Sequence, residues 1–275
     1  MSPRYSLVYL TTGSTSPAEM IDIAAAAGYD CIDARTIPMG LPGEKTFDIS
    51  TDRRLFLDTK HAIERSGIAF ESIENATVND GKDVSRYAPF LEAAAELGVK
   101  HVLSNIWSKD KTFACDQFAK LCEMAAGFGQ NIDLEFVTWA QVTDIKEAQE
   151  LLQNAGCKNA SIIVDTLHFH RSRIPWEDLA NMPDELAYCL HICDAPEGYP
   201  EDPEALAHTA REGRLYPGEG VVDIARMAAM KNWSVYGIEI PNTGYWDQKG
   251  YRKHAEDALR KTKAYLEQKE KETKR

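Results

Sequence analysis

Short runs of β-branched and aromatic residues alternate with longer amphipathic stretches along the whole chain. The strand-like runs are YSLVYLTT (5–12), YDCIDAR (29–35), IAFESIE (68–74), KHVLSNIW (100–107), IDLEFVTW (132–139), ASIIVDT (160–166), AYCLHICDA (187–195) and SVYGIEIP (234–241). Each is the length of a buried strand. The stretches between them carry helix signals. SPAEMIDIAAAAGYD opens with Ser16 as N-cap, Pro17 at the first helical position and Glu19 where a capping box needs it, and it closes at Gly28. Gly67 and Gly98 end two later helical segments in the same way. Strand and helix repeated eight times predict βαβ crossovers, and eight parallel strands with outer helices predict an α/β fold, a single (β/α)8 TIM barrel with its site at the C-terminal face. An open doubly wound sheet is the alternative. The missing GxGxxG after the first strand argues against it.

Two connections exceed the usual length, residues 36–50 and 196–220, and both follow strand C-termini. With no linker or low-complexity tract to divide it, residues 1–275 are expected to form one domain, with 266–275 a frayed helical tail. No apolar run approaches the ~20 residues that span a bilayer, and SLVYL is too short for a secretory signal. A cytoplasmic protein is expected. Six cysteines without a CxxC pair are expected to be reduced thiols. A net charge of −12 without a strong basic patch argues against nucleic acid as a partner.

The later strands carry an unusual burden. The fifth holds Glu135, the sixth Asp165, the seventh His191 and the eighth Glu239, each near the C-terminal end of its pattern. Burying one such group costs several kcal/mol unless it is paired or coordinated. Because side chains two apart share a strand face, an inward assignment puts Asp133, Ile163, Cys189 and Gly237 on the same inner side. Leu134, Val164, Ile192 and Ile238 then face the helices. Four groups on consecutive strands would meet at the barrel top around one ion. Three carboxylates and an imidazole suit Mn2+, Mg2+, Co2+ or Zn2+.

The motif order LEF, VDTLH, HICDA, RLYPGEG and IEI resembles the xylose isomerase-like TIM-barrel superfamily, especially the sugar isomerases and epimerases that include D-tagatose 3-epimerase, hydroxypyruvate isomerase and inosose dehydratase. The likeness spans essentially the whole chain and is strongest over 132–241. It implies a divalent metal held by Glu135, Asp165, His191 and Glu239, a substrate contact from His168 in the aspartate-x-x-histidine motif, and another from Arg214 before PGEG (217–220). The endonuclease IV branch uses many more His and Asp ligands and a basic groove; seven histidines in an acidic chain do not match it.

Isomerising or epimerising a keto-sugar requires moving a proton on carbon beside a carbonyl. A divalent ion chelated by the carbonyl and the adjacent hydroxyl stabilises the enediolate. Glu135 and Glu239 are expected to flank the reacting carbon as base and acid. His168 is expected to polarise substrate oxygen, with strand-end capping as the plain alternative. Arg214 either binds a hydroxyl, carboxylate or phosphate or is a solvated loop residue. Trp107, Trp139 and Trp246 follow strands four, five and eight, where an aromatic face packs on a sugar or on the rim; Trp107 is taken as the substrate contact. His170 and Arg171 either support the site or belong to a polar loop.

Glu71 and Glu74 on the third strand and Asp33 and Arg35 on the second either form an ion pair at the floor, the preferred reading, or touch substrate. Asp194 is expected to orient His191, and His101 to serve stability at the N-terminal face. Apolar positions in ARMAAMKNW (225–233) serve either the core or a homo-oligomer contact. The leading expectation is a metal-dependent isomerase or epimerase of a small carbohydrate. The rivals are a dehydratase or lyase that uses the same enediolate, and a non-catalytic sugar-binding or partner subunit.

Overall fold

Each β-rich run forms one strand, and every strand stops short of the C-terminal end of its sequence pattern except the second and third. The computed structural model describes residues 2–40 and 44–274. Its strands are β1 (Arg4–Val8), β2 (Cys31–Arg35), β3 (Ala69–Glu74), β4 (His101–Ser104), β5 (Asn131–Glu135), β6 (Ala160–Asp165), β7 (Ala187–Ile192) and β8 (Val235–Ile238). They pair in parallel in sequence order, and β8 returns to β1 to close the barrel. The helices are α1 (Pro17–Ala27), α2 (Arg53–Ser66), α3 (Ala88–Glu96), α4 (Lys111–Gly127), α5 (Ile145–Ala155), α6 (Thr166–Arg171), α7 (Trp176–Asn181), α8 (Pro203–Glu212), α9 (Ile224–Met230) and α10 (Thr243–Thr273).

The helix boundaries follow the local chemistry. Ser16 and Glu19 form the predicted capping box of α1, and Gly28 ends it in the left-handed region at φ 88°. Asp52, Asp110, Asp144, Asp202 and Asp223 cap five others with their carboxylates. The long connection after β7 contains a helix: Asp202 caps α8, with Pro203 and Glu204 in its first turn. Of the other long connection, residues 41–43 lie outside the described residues. At the chain's end α10 continues through its exposed last turns to Thr273.

Strand alternation divides the barrel's two sides. Leu7, Ile32, Ile73, Val102, Leu134, Val164, Leu190 and Ile238 all face outward into one continuous core with the helices. Inside, Leu103, Ile163, Cys189 and Val235 form a separate apolar layer. Below it the floor is ionic: Arg4 bonds Glu71 with both terminal nitrogens, and Tyr188 donates to the same carboxylate. His101 Nδ1 lies 2.9 Å from Asp133 Oδ2, and its ring stacks on Tyr188. These bonds place His101 at the floor, as expected. Met227 and Trp233, in the 225–233 segment, are buried in the core. Among the described residues no helix is long and apolar enough to cross a membrane.

Candidate metal centre

Glu135 and Asp165 are the last residues of β5 and β6, and His191 is the penultimate residue of β7. Glu239 lies one residue beyond β8 rather than within the strand, although its N–H still bonds the Ile192 carbonyl at 3.2 Å. Register sets Asp165 level with His191, and His191 level with Gly237. One ligand-capable atom from each of Glu135, Asp165, His191 and Glu239 falls within 4.8 Å of all the others, and all four residues are buried. His191 Nδ1 stands 3.3 Å from Glu135 Oε1 and 3.4 Å from Glu239 Oε2. Neither approach has hydrogen-bond geometry, so among the described residues this buried nitrogen has no hydrogen-bond partner.

The surroundings fix these side chains. Asp165 turns Oδ1 to cap α6 through the Leu167 and His168 N–H groups, at 2.7 and 3.0 Å. Its Oδ2 accepts from Arg214 Nη1 at 2.5 Å, and the same nitrogen lies 3.0 Å from Glu239 Oε2. Arg214 also donates through Nε to the Ala210 carbonyl. It is therefore a fully buried counter-charge to two of the acids, not a solvated loop residue. Glu135 Oε2 accepts from Asn105 Nδ2 at 3.1 Å. Gly237 leaves room for the imidazole: a Cβ there would stand 2.5 Å from His191 Cδ2.

Burial pushes the Glu239 carboxyl up, but the Arg214 charge and the His191 contact outweigh it and hold it well below the usual carboxylate range. Three carboxylates against one guanidinium leave negative charge uncompensated, and an orphaned imidazole nitrogen faces it. That donor set fits a divalent ion. Glu135, Asp165, His191 and Glu239 are the residues that would hold it.

The other candidates surround this cluster unevenly. His168 is buried, with Nδ1 3.1 Å from Thr138 Oγ1 and its ring edge-on to Trp139. Trp107 is half-buried, with its backbone N–H bonded to the Val78 carbonyl. Trp246 donates from its indole to the Thr11 carbonyl. His170 stacks on Tyr199, and Arg171 donates to the Pro196 carbonyl.

Two expectations need correction. Asp194 does not hold His191: its carboxylate accepts from the N–H groups of Ala195, Gly218, Gly220 and Val222, gathering the PGEG turn behind Arg214. Arg35 and Glu74 do pair, 3.0 Å apart, but as the last residues of β2 and β3 they lie at the C-terminal face. The floor pair is Arg4 with Glu71.

Asn105 and His254 escaped the sequence reading. Asn105 follows β4 immediately, inside the run assigned wholly to strand. His254, on α10, donates from Nε2 to the Ile240 carbonyl at 2.8 Å, which leaves Nδ1 of the neutral ring to accept from Tyr216 Oη at 2.7 Å. It thereby ties the loop after Arg214 to the segment after Glu239. Burial lowers its pKa from 6.5 to about 4. The unfolded chain takes up this proton first as pH falls. The stabilisation is therefore complete above pH 6.5 and is lost towards pH 4, by up to about 3 kcal/mol. Unfolding free energies measured between pH 7 and 4 should show that loss in the native protein and not in His254→Gln; equal slopes would refute the assignment.

The fold is a closed eight-stranded parallel barrel with a buried acid and imidazole cluster, able to hold a metal ion, at the C-terminal ends of its strands. The sequence profile of the xylose isomerase-like TIM barrel family matches residues 21–268, and the chain belongs to that family. Inosose isomerase of Bacillus velezensis is 24% identical over 262 residues, covering 90% of this chain and 89% of that one. A 3-dehydroshikimate dehydratase of Pseudomonas aeruginosa is 28% identical over 202 residues, covering 70% of this chain and 31% of that one. Among solved structures, the IOLI protein with a bound zinc atom superposes with a TM-score of 0.78 at 19% identity, covering 96% of this chain and 98% of that one. D-allulose 3-epimerase from Methylomonas sp., in complex with D-allulose, gives 0.65 at 18% identity, covering 97% of this chain and 96% of that one.

Proposed function

We propose that this protein is a divalent-metal-dependent isomerase or epimerase of a small keto-sugar or related hydroxy-ketone. The observation that carries the reading is the convergence of Glu135, Asp165, His191 and Glu239 within 4.8 Å at the barrel mouth. The names of the inosose isomerase and D-allulose 3-epimerase relatives support the reaction class. The zinc in the IOLI structure supports a divalent ion, for which Mn2+, Mg2+ and Co2+ are equally suited to this donor set.

When bound, the ion would act as a Lewis acid on the substrate carbonyl and adjacent hydroxyl and stabilise the charge that develops there. The chain supplies the rest. Glu135 and Glu239 come from β5 and the end of β8, so their carboxylates approach the reacting carbon from different sides. One removes its proton and the other, protonated, returns one to the opposite face, which inverts the centre. A single glutamate acting on one face would isomerise instead. Arg214 pairs with Asp165 and Glu239, holds both carboxylates in place and presents its donors beside them. His168 and Trp107 bind substrate, His168 through a ring held by Thr138 and Trp139.

The test is solvent exchange. Mn2+-loaded protein in deuterated water should incorporate deuterium beside the carbonyl of at least one ketose in a panel, read by proton NMR. No exchange from any of them would sink the reading. A second reading, dehydration, is favoured by the 28% identity to 3-dehydroshikimate dehydratase. It predicts a product lighter by one water, whereas epimerisation leaves the mass unchanged.

A further inference from the structure

We propose that Arg35, Glu74 and Asn75, at the ends of β2 and β3, form the subsite for the substrate's remote hydroxyl groups, and that the substrate is accordingly an uncharged polyhydroxy ketone. The inference rests on the metal-dependent reading above and goes further by naming the substrate's charge and the residues that select it.

Three buried polar atoms here have no hydrogen-bond partner among the described residues: Arg35 Nε, Glu74 Oε1 and Asn75 Oδ1. The Arg35 guanidinium lies 3.0 Å from Glu74 Oε1 but off the hydrogen-bond axis, so the ion pair leaves that oxygen unsatisfied. An unmade bond at such a site costs about 1–3 kcal/mol. Three together are not what a purely structural pair would keep. The group is continuous with the metal centre, because Asn75 Nδ2 donates to Asn105 Oδ1 and Asn105 Nδ2 donates to Glu135 Oε2. Glu74 is also near enough to Glu239, His191 and Glu135 for their charges to act on its carboxyl.

The free atoms are one donor and two acceptors. A hydroxyl both donates and accepts and can satisfy either kind, whereas phosphate and carboxylate oxygens only accept and would meet Glu74 Oε1 and Asn75 Oδ1 with like polarity. Charge points the same way. Asp165 and Glu239 lie against Arg214 and Glu74 against Arg35, so each guanidinium here already faces at least one carboxylate. Arg35 is already engaged, by Glu74 and by the Tyr9 ring 4.8 Å beneath it. An anionic group would find no free counter-charge.

Binding to Mn2+-loaded protein, measured by calorimetry, decides the matter with three probes: dihydroxyacetone, which has no remote hydroxyl, D-fructose and D-fructose 6-phosphate. The native protein should bind D-fructose about 10-fold or more tighter than either of the others. Asn75→Ala and Glu74→Gln should each weaken D-fructose binding about 10-fold or more beyond any change for dihydroxyacetone. Equal losses for both ketones would overturn the subsite, since the residues would then act only by positioning Glu135. Tighter binding of the phosphorylated probe by native protein would overturn it too, whatever the stability of the variants. Polyol preference without proton exchange would refute the reaction and leave the subsite, while exchange without the preference would do the reverse.

Discussion

Mn2+-loaded Glu135→Gln and Glu239→Gln proteins are each expected to epimerise a ketose about 10^2–10^4 times more slowly than native protein, the usual effect of removing a positioned acid or base. Glutamine keeps the shape and a carbonyl oxygen near the ion, so metal content, measured on the same samples, separates loss of the proton carrier from loss of the site. The two variants should also differ from each other. If the residues serve opposite faces, each variant blocks removal of the proton from one epimer and the return that forms that same epimer, so solvent exchange is lost from that epimer and kept from the other. A variant that binds metal and exchanges at the native rate from both epimers would remove that glutamate from the mechanism.

The second large effect concerns folding. Arg214 is a buried cation bonded to Asp165 and Glu239, whose own side chains are equally shielded from water. Arg214→Met keeps much of the volume and strips both acids of their counter-charge. The metal-free variant is expected to lose about 3–5 kcal/mol of unfolding free energy, as broken buried pairs do. A divalent ion binds only the folded cluster, so Mn2+ should recover more stability in the variant than in the native protein. Urea unfolding with and without Mn2+ measures both quantities. A loss below about 1 kcal/mol, or equal recovery by the metal in the two proteins, would show that Arg214 does not balance this cluster.

Much of this was legible in the chain because the barrel's periodicity is written locally. Each strand is a short β-branched run, each helix carries its own cap, and residues two apart share a face; these facts bring Glu135, Asp165 and His191 to one side of the sheet without any tertiary information. Glu239 followed from the same alternation although it sits just past its strand. What escaped depends on contacts between distant segments. The carboxylate of Asp194 bonds a turn more than 20 residues downstream instead of its neighbour His191, and nothing in HICDA distinguishes the two. His254 works through Tyr216 and Ile240, on two other elements. The charges of Arg35, Asp33, Glu71 and Glu74 are legible as a group, but pairing Arg35 with Glu74 and assigning them to floor or mouth need the exact end of each strand, the least local feature of a sequence pattern. The α8 cap at Asp202 was legible and was hidden by the density of Gly and Pro around it.

The central proposition is that Glu135, Asp165, His191 and Glu239 hold one cation between them. Anomalous scattering from crystals grown with Mn2+ tests it most directly. A single peak bonded to all four side chains, with His191 engaged through Nδ1, is the predicted result; a peak elsewhere, or no peak at saturating Mn2+, would contradict it.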